Sequence, residues 1–528
     1  MVEDMIFNKQ ARIVILPSGR VLGAKVGDSL LELLVANQLL EPGQEEVRLE
    51  RGSVSAPGEP RLEEERFSPT EMADGWMLAS ERKVTGDAII FVPHQEQPDS
   101  ETPADDTGWQ PAAGLGLAVD LGSGTVAAGL AELSAMAIPA LSACANSQCD
   151  ALGDLGARLK YMREHEHGLT DLQNMLYDDI KFLTMRLADK TGLDPREVKV
   201  VMVAANSALG QMLWGEIPAG QTTWEEVWRA PRTLQAEQTP LAALMPQAEI
   251  VLMPAAAPDI GSDLVAAILA SGLEQKIEQS TLTLMVDLGL STEIVAAGRG
   301  RLLVASVSTP ALEGVSISGG MRATVGAIVQ VQISDTVLLR TVRDARPRGL
   351  SGAGLLSAAY ALQQNDLLDA EGRIVFDRDL PPRLTAHFAR GFSGADFILS
   401  RLGGGADIAI EQNDIRQLQL AKGSVYAACM ALLAELDAEE RDIGQILIGE
   451  SFGAHIDPVA ALELGLVPRI AADRVKPIGN AAWQGVFLCL CNRGLLQEAA
   501  RVAERIERLD LTVSTLYAAE FLPAMEFK

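Results

Sequence analysis

Cysteine is scarce in this chain and absent before position 144; the five are Cys144, Cys149, Cys429, Cys489 and Cys491. Their spacing fits no paired C-x-x-C zinc pattern, and a reducing compartment keeps such thiols free. Cys489 and Cys491 stand in the apolar run VFLCLC and read as small buried hydrophobes. Aromatic residues make up only 4% of the chain. Positive charge is also short: 44 Lys and Arg face 71 Asp and Glu, a formal net charge of −27. That balance argues against a nucleic acid or an anionic membrane as partner, since either needs a basic face. It does not exclude ATP, because a pocket of backbone N–H groups holds phosphate even inside an acidic protein. No run of 18 apolar residues is present to span a bilayer. The opening segment MVEDMIFNKQ lacks the basic-then-apolar pattern of a signal peptide, so a cytoplasmic protein is expected.

What is present is a chain of 528 residues, 48% apolar and holding 47 glycines, a composition that suits an α/β protein of several domains. Residues 1–93 read as a small separate domain. ARIVILPSGRVLGAKV is expected to form a β-hairpin turning at Pro17-Ser18-Gly19. DSLLELLVANQLL is expected to be a helix capped by Asp28, and DAIIFVP a closing strand. The polar, Pro-rich stretch 94–114 is a linker by composition. Two larger regions follow, 115–279 and 280–528, in which strands, helices and Gly-rich loops alternate. Late in the second, a long helix over about 414–436 is expected, capped by Asn413 or Asp414.

Each large region opens in the same way. VDLGSGT at Val119–Thr125 returns as VDLGLST at Val286–Thr292, and Val-Ala-Ala-Gly follows both, at 126–129 and 295–298. Aligned on those tetrapeptides, the second copy carries two extra residues in its turn. An apolar strand ending in Asp-Leu-Gly puts a carboxylate at the strand tip beside a turn with room for a ligand. Gly122 and Gly124 are expected to take positive φ, and the N–H groups around them to form an anion-binding concavity. Ser123 and Thr125 add hydroxyls, with Gly289, Ser291 and Thr292 as their counterparts in the second turn. Asp120 suits a water of a hydrated Mg²⁺, and Asp287 is the candidate for metal or for orienting an attacking water.

Paired turns of this form resemble those of the actin, Hsp70 and sugar-kinase superfamily, which implies a two-lobed α/β ATPase fold clamping a nucleotide. Further segments occur in a telling order: EGVSISGGMRATVGAI at 313–328, RGLSGAGLLSAAYAL at 348–362, NDIRQLQLAKGSVYAA at 413–428, FGAHIDPVAALELGLVP at 452–468 and GNAAWQGV at 479–486. Together they resemble the reductive activators of corrinoid proteins, ATP-dependent proteins that return a cobalt(II) corrinoid to cobalt(I). The resemblance runs from about residue 10 to the end. It implies a ferredoxin-like (β-grasp) domain first, ending with 65–93, then a linker and the ATPase lobes.

Several departures from that pattern matter. The family's first domain holds a two-iron cluster on four cysteines; here EPGQEEVRLERG replaces the cluster loop, and Ser80 stands where the last cysteine is expected. Four thiolate ligands are lacking, so no iron–sulfur cluster is expected, and electrons must come from an external donor. In the second turn Leu290 replaces a small hydroxyl, and Ser308-Thr309-Pro310 lacks the family's glycine. On the nucleoside side the resemblance implies Gly449, Glu450 and Ser451, with Glu450 in place of a glycine. It also implies Lys422 as an adenine contact, though an ordinary surface lysine is the plainer reading. Asp263 suits either the cleft or a helix start, and Asn206 either the cleft or a turn cap. His165 and His167, two apart in MREHEHG, read as a solvated face. The expected function is an ATP-dependent accessory protein, reductive-activator-like, for a corrinoid protein of a methyltransferase system. A non-catalytic scaffold with a degenerate nucleotide site is the alternative, a small-molecule kinase a weaker one, and the surface leaves room for a homodimer.

Overall fold

The computed structural model describes residues 10–16, 20–37, 46–55, 76–91, 114–133, 137–216, 228–334, 336–376, 382–392, 394–401, 407–450 and 456–527. The chain divides into two compact units, Met1–Gly108 and Trp109–Lys528. The turn residues Pro17-Ser18-Gly19, the linker 94–113 and Ser451 fall outside the described residues.

In the first unit, β1 (Gln10–Leu16) and β2 (Arg20–Lys25) form the expected antiparallel hairpin. With β3 (Glu46–Val54), β4 (Trp76–Leu78) and β5 (Val84–Phe91) they make a five-stranded sheet in the order β2-β1-β5-β3-β4. β1 and β5 run parallel at its centre, the β-grasp arrangement. The helix Leu30–Ala36 buries Leu30 and Leu34 against Ile13, Val47 and Val84. Its cap is Ser29, whose hydroxyl accepts from Glu32 N–H; Asp28 instead accepts from Lys25 N–H at 2.7 Å. Residues 46–52 of the segment EPGQEEVRLERG belong to β3, which pairs with both β4 and β5. Ser80 lies exposed in the short 3-10 turn Ala79–Glu81.

The second unit is built on two six-stranded sheets of matching design. The first contains β6 (Leu115–Leu121), β7 (Thr125–Glu132), β8 (Ala137–Ala145), β9 (Val198–Ala205), β10 (Arg232–Gln235) and β11 (Glu249–Leu252), ordered β10-β11-β9-β6-β7-β8. The second begins with β12 (Leu282–Leu288), β13 (Ser291–Gly298) and β14 (Arg301–Ser308). Two small three-stranded sheets intervene: β15 (Ala327–Ile333), β16 (Val337–Thr341) and β17 (Gly349–Leu350), then β18 (Phe388–Arg390), β19 (Ala395–Ser400) and β20 (Ile408–Ile410). β21 (Ile443–Glu450), β22 (Val475–Gly479) and β23 (Ile506–Arg508) complete the second large sheet, ordered β22-β21-β12-β13-β14-β23. In each, three antiparallel strands come first and the opening strand then pairs in parallel with a later one, β6 with β9 and β12 with β21.

The opening strands read as unbroken apolar runs because they are covered on both faces. β6 is buried throughout, and β12 everywhere except Asp287. Helices Ser262–Ser271 and Ala481–Cys491 pack between the two sheets, in one apolar cluster with Ala118, Met202, Met285 and Val304. Trp483 Nε1–H donates to the Ala118 carbonyl at 3.2 Å, tying the late helix to the first sheet. Cys489 and Cys491 are buried in that cluster, and burial pushes their thiols up to about 12 and about 11. The long helix is Gln412–Glu435, and its cap is Glu411 rather than Asn413 or Asp414. Asp414 closes the capping box by accepting Glu411 N–H at 2.8 Å, and its other oxygen takes Ser318 N–H at 2.7 Å.

Candidate functional site

The two turns do not differ in length in the way their sequences suggest. In the first hairpin Asp120 stands opposite Ala127 and Leu121 opposite Val126. In the second, Asp287 stands opposite Glu293 and Val286 opposite Ile294. The pairing thus sets Glu293 in the place of Ala127, and the second turn gains no residues. The repeated Val-Ala-Ala-Gly segments are similar strands at different registers: backbone pairing follows closure of the turn, and a shift in register changes which side chain faces the carboxylate. Asp287 consequently has a second carboxylate directly across from it, where Asp120 has a methyl group.

Both turns face a cleft of about 500 Å³. In the first, three consecutive carbonyls are fixed by donors. Asn146 Nδ2 donates to Gly122 O at 2.9 Å, Arg158 to Ser123 O at 2.6 Å, and Asn146 N–H to Gly124 O at 2.9 Å. A trans peptide points its N–H away from its carbonyl, so the amides after these carbonyls are aimed opposite to the donors. Asn206 Nδ2 donates to Ser123 Oγ at 2.5 Å while its Oδ1 caps helix Ser207–Leu213, so this residue fulfils both of its expected roles. Gly122 and Gly124 are not at positive φ. Gly122 is needed for space, since a Cβ there would lie 2.6 Å from the Thr125 carbonyl oxygen; a Cβ on Gly124 would be tight, 3.2 Å from Arg322 Nε.

The second turn is closed by the same device with different chemistry. Thr309, immediately after β14 as Asn146 is after β8, donates through Oγ1 to Gly289 O at 3.0 Å and through N–H to Leu290 O at 2.9 Å. Gly289 is again a clearance residue, its Cβ position 2.8 Å from Ser291 O. The hydroxyls, however, turn inward. Thr292 is fully buried against Thr309 Oγ1 at 2.6 Å and does not line the cleft. Ser291 lines it but donates to Glu293 Oε1 at 2.9 Å. Leu290 leans on the first turn, its Cδ1 3.5 Å from the Cβ position of Gly124. Expecting both Ser291 and Thr292 as ligand donors therefore fits the geometry poorly; their hydroxyls already serve protein partners.

Among the described residues, the charged side chains that line the cleft are all acidic: Asp120, Asp154, Asp259, Asp263, Asp287, Glu293 and Glu313. Burial, together with Asp263 and Glu313 nearby, holds Asp120 up at about 7, although Asn480 Nδ2 donates to it at 2.7 Å. Asp287 is likewise pushed up to about 7, by burial and then by Asp120, Asp263 and Glu313. Burial lifts Asp263 to about 6, and burial with Asp263 and Asp287 lifts Glu293 well above the carboxylate range. Such a set favours a cation, which removes the mutual repulsion that protonation otherwise relieves. Among the described residues no group of three or more His, Cys, Asp or Glu is placed to hold a metal ion by direct ligation.

Not every expected residue belongs to this cleft. Lys422 is buried, not exposed, and its ammonium donates to Ala524 O at 2.5 Å and Glu526 O at 2.7 Å, over the Phe527 ring. It secures the chain's last residues and is neither a surface lysine nor a cleft residue, a contact some hundred residues away that local pattern does not reveal. Gly449 lies in β21 opposite Asp287, where a Cβ would come 2.5 Å from Asp287 Oδ1, so it makes room for that carboxylate. Glu450 pairs with Leu288 at the end of β21. Asp263 lines the cleft from the first turn of its helix, whose cap is Gly261. His165 and His167 are exposed. Sequence reasoning did not single out Asn146 and Arg158, which hold the first turn, or Asn480, which holds the Asp120 carboxylate.

Two matching sheets, each opening with a hairpin whose Asp-bearing turn faces a shared cleft, define the two-lobed class of actin, Hsp70 and sugar kinases. Residues 281–528 match the family model described as the C-terminal domain of RACo, the ASKHA domain, and residues 115–276 match the RACo middle region. Through these two regions, which take up more than three quarters of the chain, the protein belongs to the RACo family. It is 26% identical over 441 residues to the corrinoid activation enzyme RamQ of Eubacterium limosum, covering 80% of this chain and 70% of that protein. It is 24% identical over 274 residues to the Co(II) methylated amine-specific corrinoid protein reductase of Methanosarcina barkeri, covering 51% of this chain and 49% of the relative. A solved reductive activator for corrinoid, iron-sulfur protein shares the fold, with a TM-score of 0.71, 22% identity and 98% of both chains covered. No helix among the described residues is long and apolar enough to cross a membrane.

Proposed function

We propose that this protein is an ATP-dependent accessory protein that activates, or assists in activating, a corrinoid protein of a methyltransferase system. The observation that supports this most is the convergence of both turns, with Asp120 and Asp287, on one cleft. It gains weight from two curated relatives whose names refer to corrinoid activation and corrinoid reduction. In this reading the amides of the first turn bind phosphate and Asp120 anchors a hydrated magnesium; the bond from Asn480 Nδ2 to the Asp120 carboxylate supports it. Magnesium, when bound, neutralises phosphate charge and bridges phosphate oxygens. Asp287 is the candidate for orienting an attacking water. Nucleotide binding then favours one relative position of the lobes by its differential affinity for it, and that position docks the corrinoid partner.

In this reading electrons come from a separate donor in the cytoplasm. No cysteine precedes Cys144, so the β-grasp unit offers no set of four thiolates for a cluster, and it serves as a docking module. A second reading, a scaffold with a degenerate nucleotide site, is favoured by the second turn, where Leu290 and the Ser291–Glu293 bond replace ligand donors. Isothermal titration with Mg-ATP separates the two. Heat of binding and a raised melting temperature are expected; their joint absence would leave the scaffold. With a corrinoid partner and an external one-electron reductant, cobalt(I) absorbance should then grow faster with ATP than without.

A further inference from the structure

A guanidinium carried by the second lobe lies beside the first turn without lining the cleft itself. Among the described residues the charged side chains that line the cleft are carboxylates, yet the ligand proposed for it carries several negative charges of its own. Magnesium offsets part of this; the rest calls for a protein cation close to the phosphate turn. Arg322 meets that need. Its Nε lies 3.2 Å from where a Cβ of Gly124 would stand, and Glu313 Oε2 lies 3.3 Å from the same point. Its NH2 group donates to Cys149 Sγ at 2.6 Å, in the helix that follows β8 of the first lobe. Beside it the buried Arg158 holds the Ser123 carbonyl. A residue of the 314–326 loop thus reaches the first lobe at Gly124, a glycine of the turn that lines the cleft.

We propose that Arg322 is a phosphate-binding residue, the cation by which the second lobe senses phosphate held on the first turn and closes onto it. The proposal rests on the nucleotide reading above. Its guanidinium is planar and multidentate, suited to exchanging sulfur and carboxylate neighbours for phosphate oxygens. Because it is carried by the opposite lobe, each bond it makes to phosphate favours the closed arrangement.

The test is titration of the full-length protein and its variants with Mg-ATP and with adenosine. Arg322→Gln should weaken Mg-ATP binding about ten- to hundredfold while leaving adenosine within about twofold, since only a charge-assisted hydrogen bond to phosphate is lost. Arg322→Lys, which keeps the charge, should recover part of the loss. Cys149→Ser should bind both ligands as the parent does, because it alters the resting contact and not the cation. Unchanged Mg-ATP affinity in Arg322→Gln overturns the proposal, and so does an equal loss for adenosine, the mark of a merely structural arginine. If the parent protein binds neither ligand, the nucleotide reading itself fails and this inference falls with it, an outcome visible without any variant.

Discussion

The first and second turns are built on one plan and hold different chemistry. In each, the residue after the third strand, Asn146 or Thr309, ties down two carbonyls with one side chain and one amide. In each, a glycine clears a carbonyl oxygen that any Cβ would strike. Past that point they diverge. The first turn fixes its middle carbonyl through Arg158 and positions Ser123 through Asn206. The second fills the equivalent space with Leu290 and pairs its serine with a carboxylate. Backbone closure is what the duplication preserved, and ligand chemistry is what each lobe was free to change.

The largest expected effect separates the roles of the two aspartates. Asp287→Ala should lower ATP turnover by about 10²- to 10⁴-fold, the range for a positioned group that handles a proton or a water. Mg-ATP affinity should change far less, because the phosphate turn lies on the other lobe. Asp120→Ala should do the reverse, weakening magnesium-dependent binding first. A steady-state assay and a titration on both variants decide it: equal losses in both quantities would mean that the two turns act as one site without divided labour.

Breaking the closures comes next. Asn146→Ala removes a buried side chain that bonds Gly122 O and also caps helix Ser147–Leu152 through Gln148 N–H. Its loss should cost about 2–4 kcal/mol in a denaturant melt, since a buried carbonyl loses its partner and a helix its cap. Thr309→Val keeps shape and leaves Gly289 O without that donor, for about 1–2 kcal/mol. If the threonine variant proves the costlier, the second turn is the more constrained and the comparison is inverted.

The acidic cleft predicts a pH dependence with a definite sign. Asp120 and Asp287 at about 7 and Asp263 at about 6 are raised above the 3.8 of an unfolded aspartate. Between those limits the folded protein binds more protons than the unfolded chain, so stability falls as pH rises from about 4 through 7. Melting temperature without metal should drop by several degrees across that window and recover on adding Mg²⁺ above pH 7. A profile that magnesium leaves untouched would remove the carboxylates from any role in holding a cation.

Much of this architecture is written locally. VDLG after an apolar run marks strand and turn twice, because a strand covered on both faces has no other way to read. The helix Ser262–Ser271 and the hairpin β1–β2 are equally plain from periodicity. What the sequence hides is register and distance. Val-Ala-Ala-Gly matched at 126–129 and 295–298, but hydrogen bonding paired Asp287 with Glu293 instead, and only the pairing reveals a second carboxylate there. Asn480 reaches Asp120 across 360 positions, and Lys422 reaches Ala524 across 102. Such contacts depend on how sheets and helices stack, which no window of neighbouring residues contains.

The smallest expected effect bears most directly on how the second turn came to differ. Leu290→Thr puts a hydroxyl where the first turn has one and removes the apolar side chain that reaches toward Gly124. If the second turn simply lost a phosphate donor, the variant should bind Mg-ATP about three- to tenfold more tightly, the worth of one hydrogen bond to a charged oxygen less its desolvation. If Leu290 instead holds the lobes together by packing on the first turn, the same change should weaken binding, because closure loses an apolar contact and gains nothing in exchange. Titration of this single variant therefore reads out which it is: a rise in affinity marks a site that decayed, and a fall marks one that was rebuilt around lobe closure.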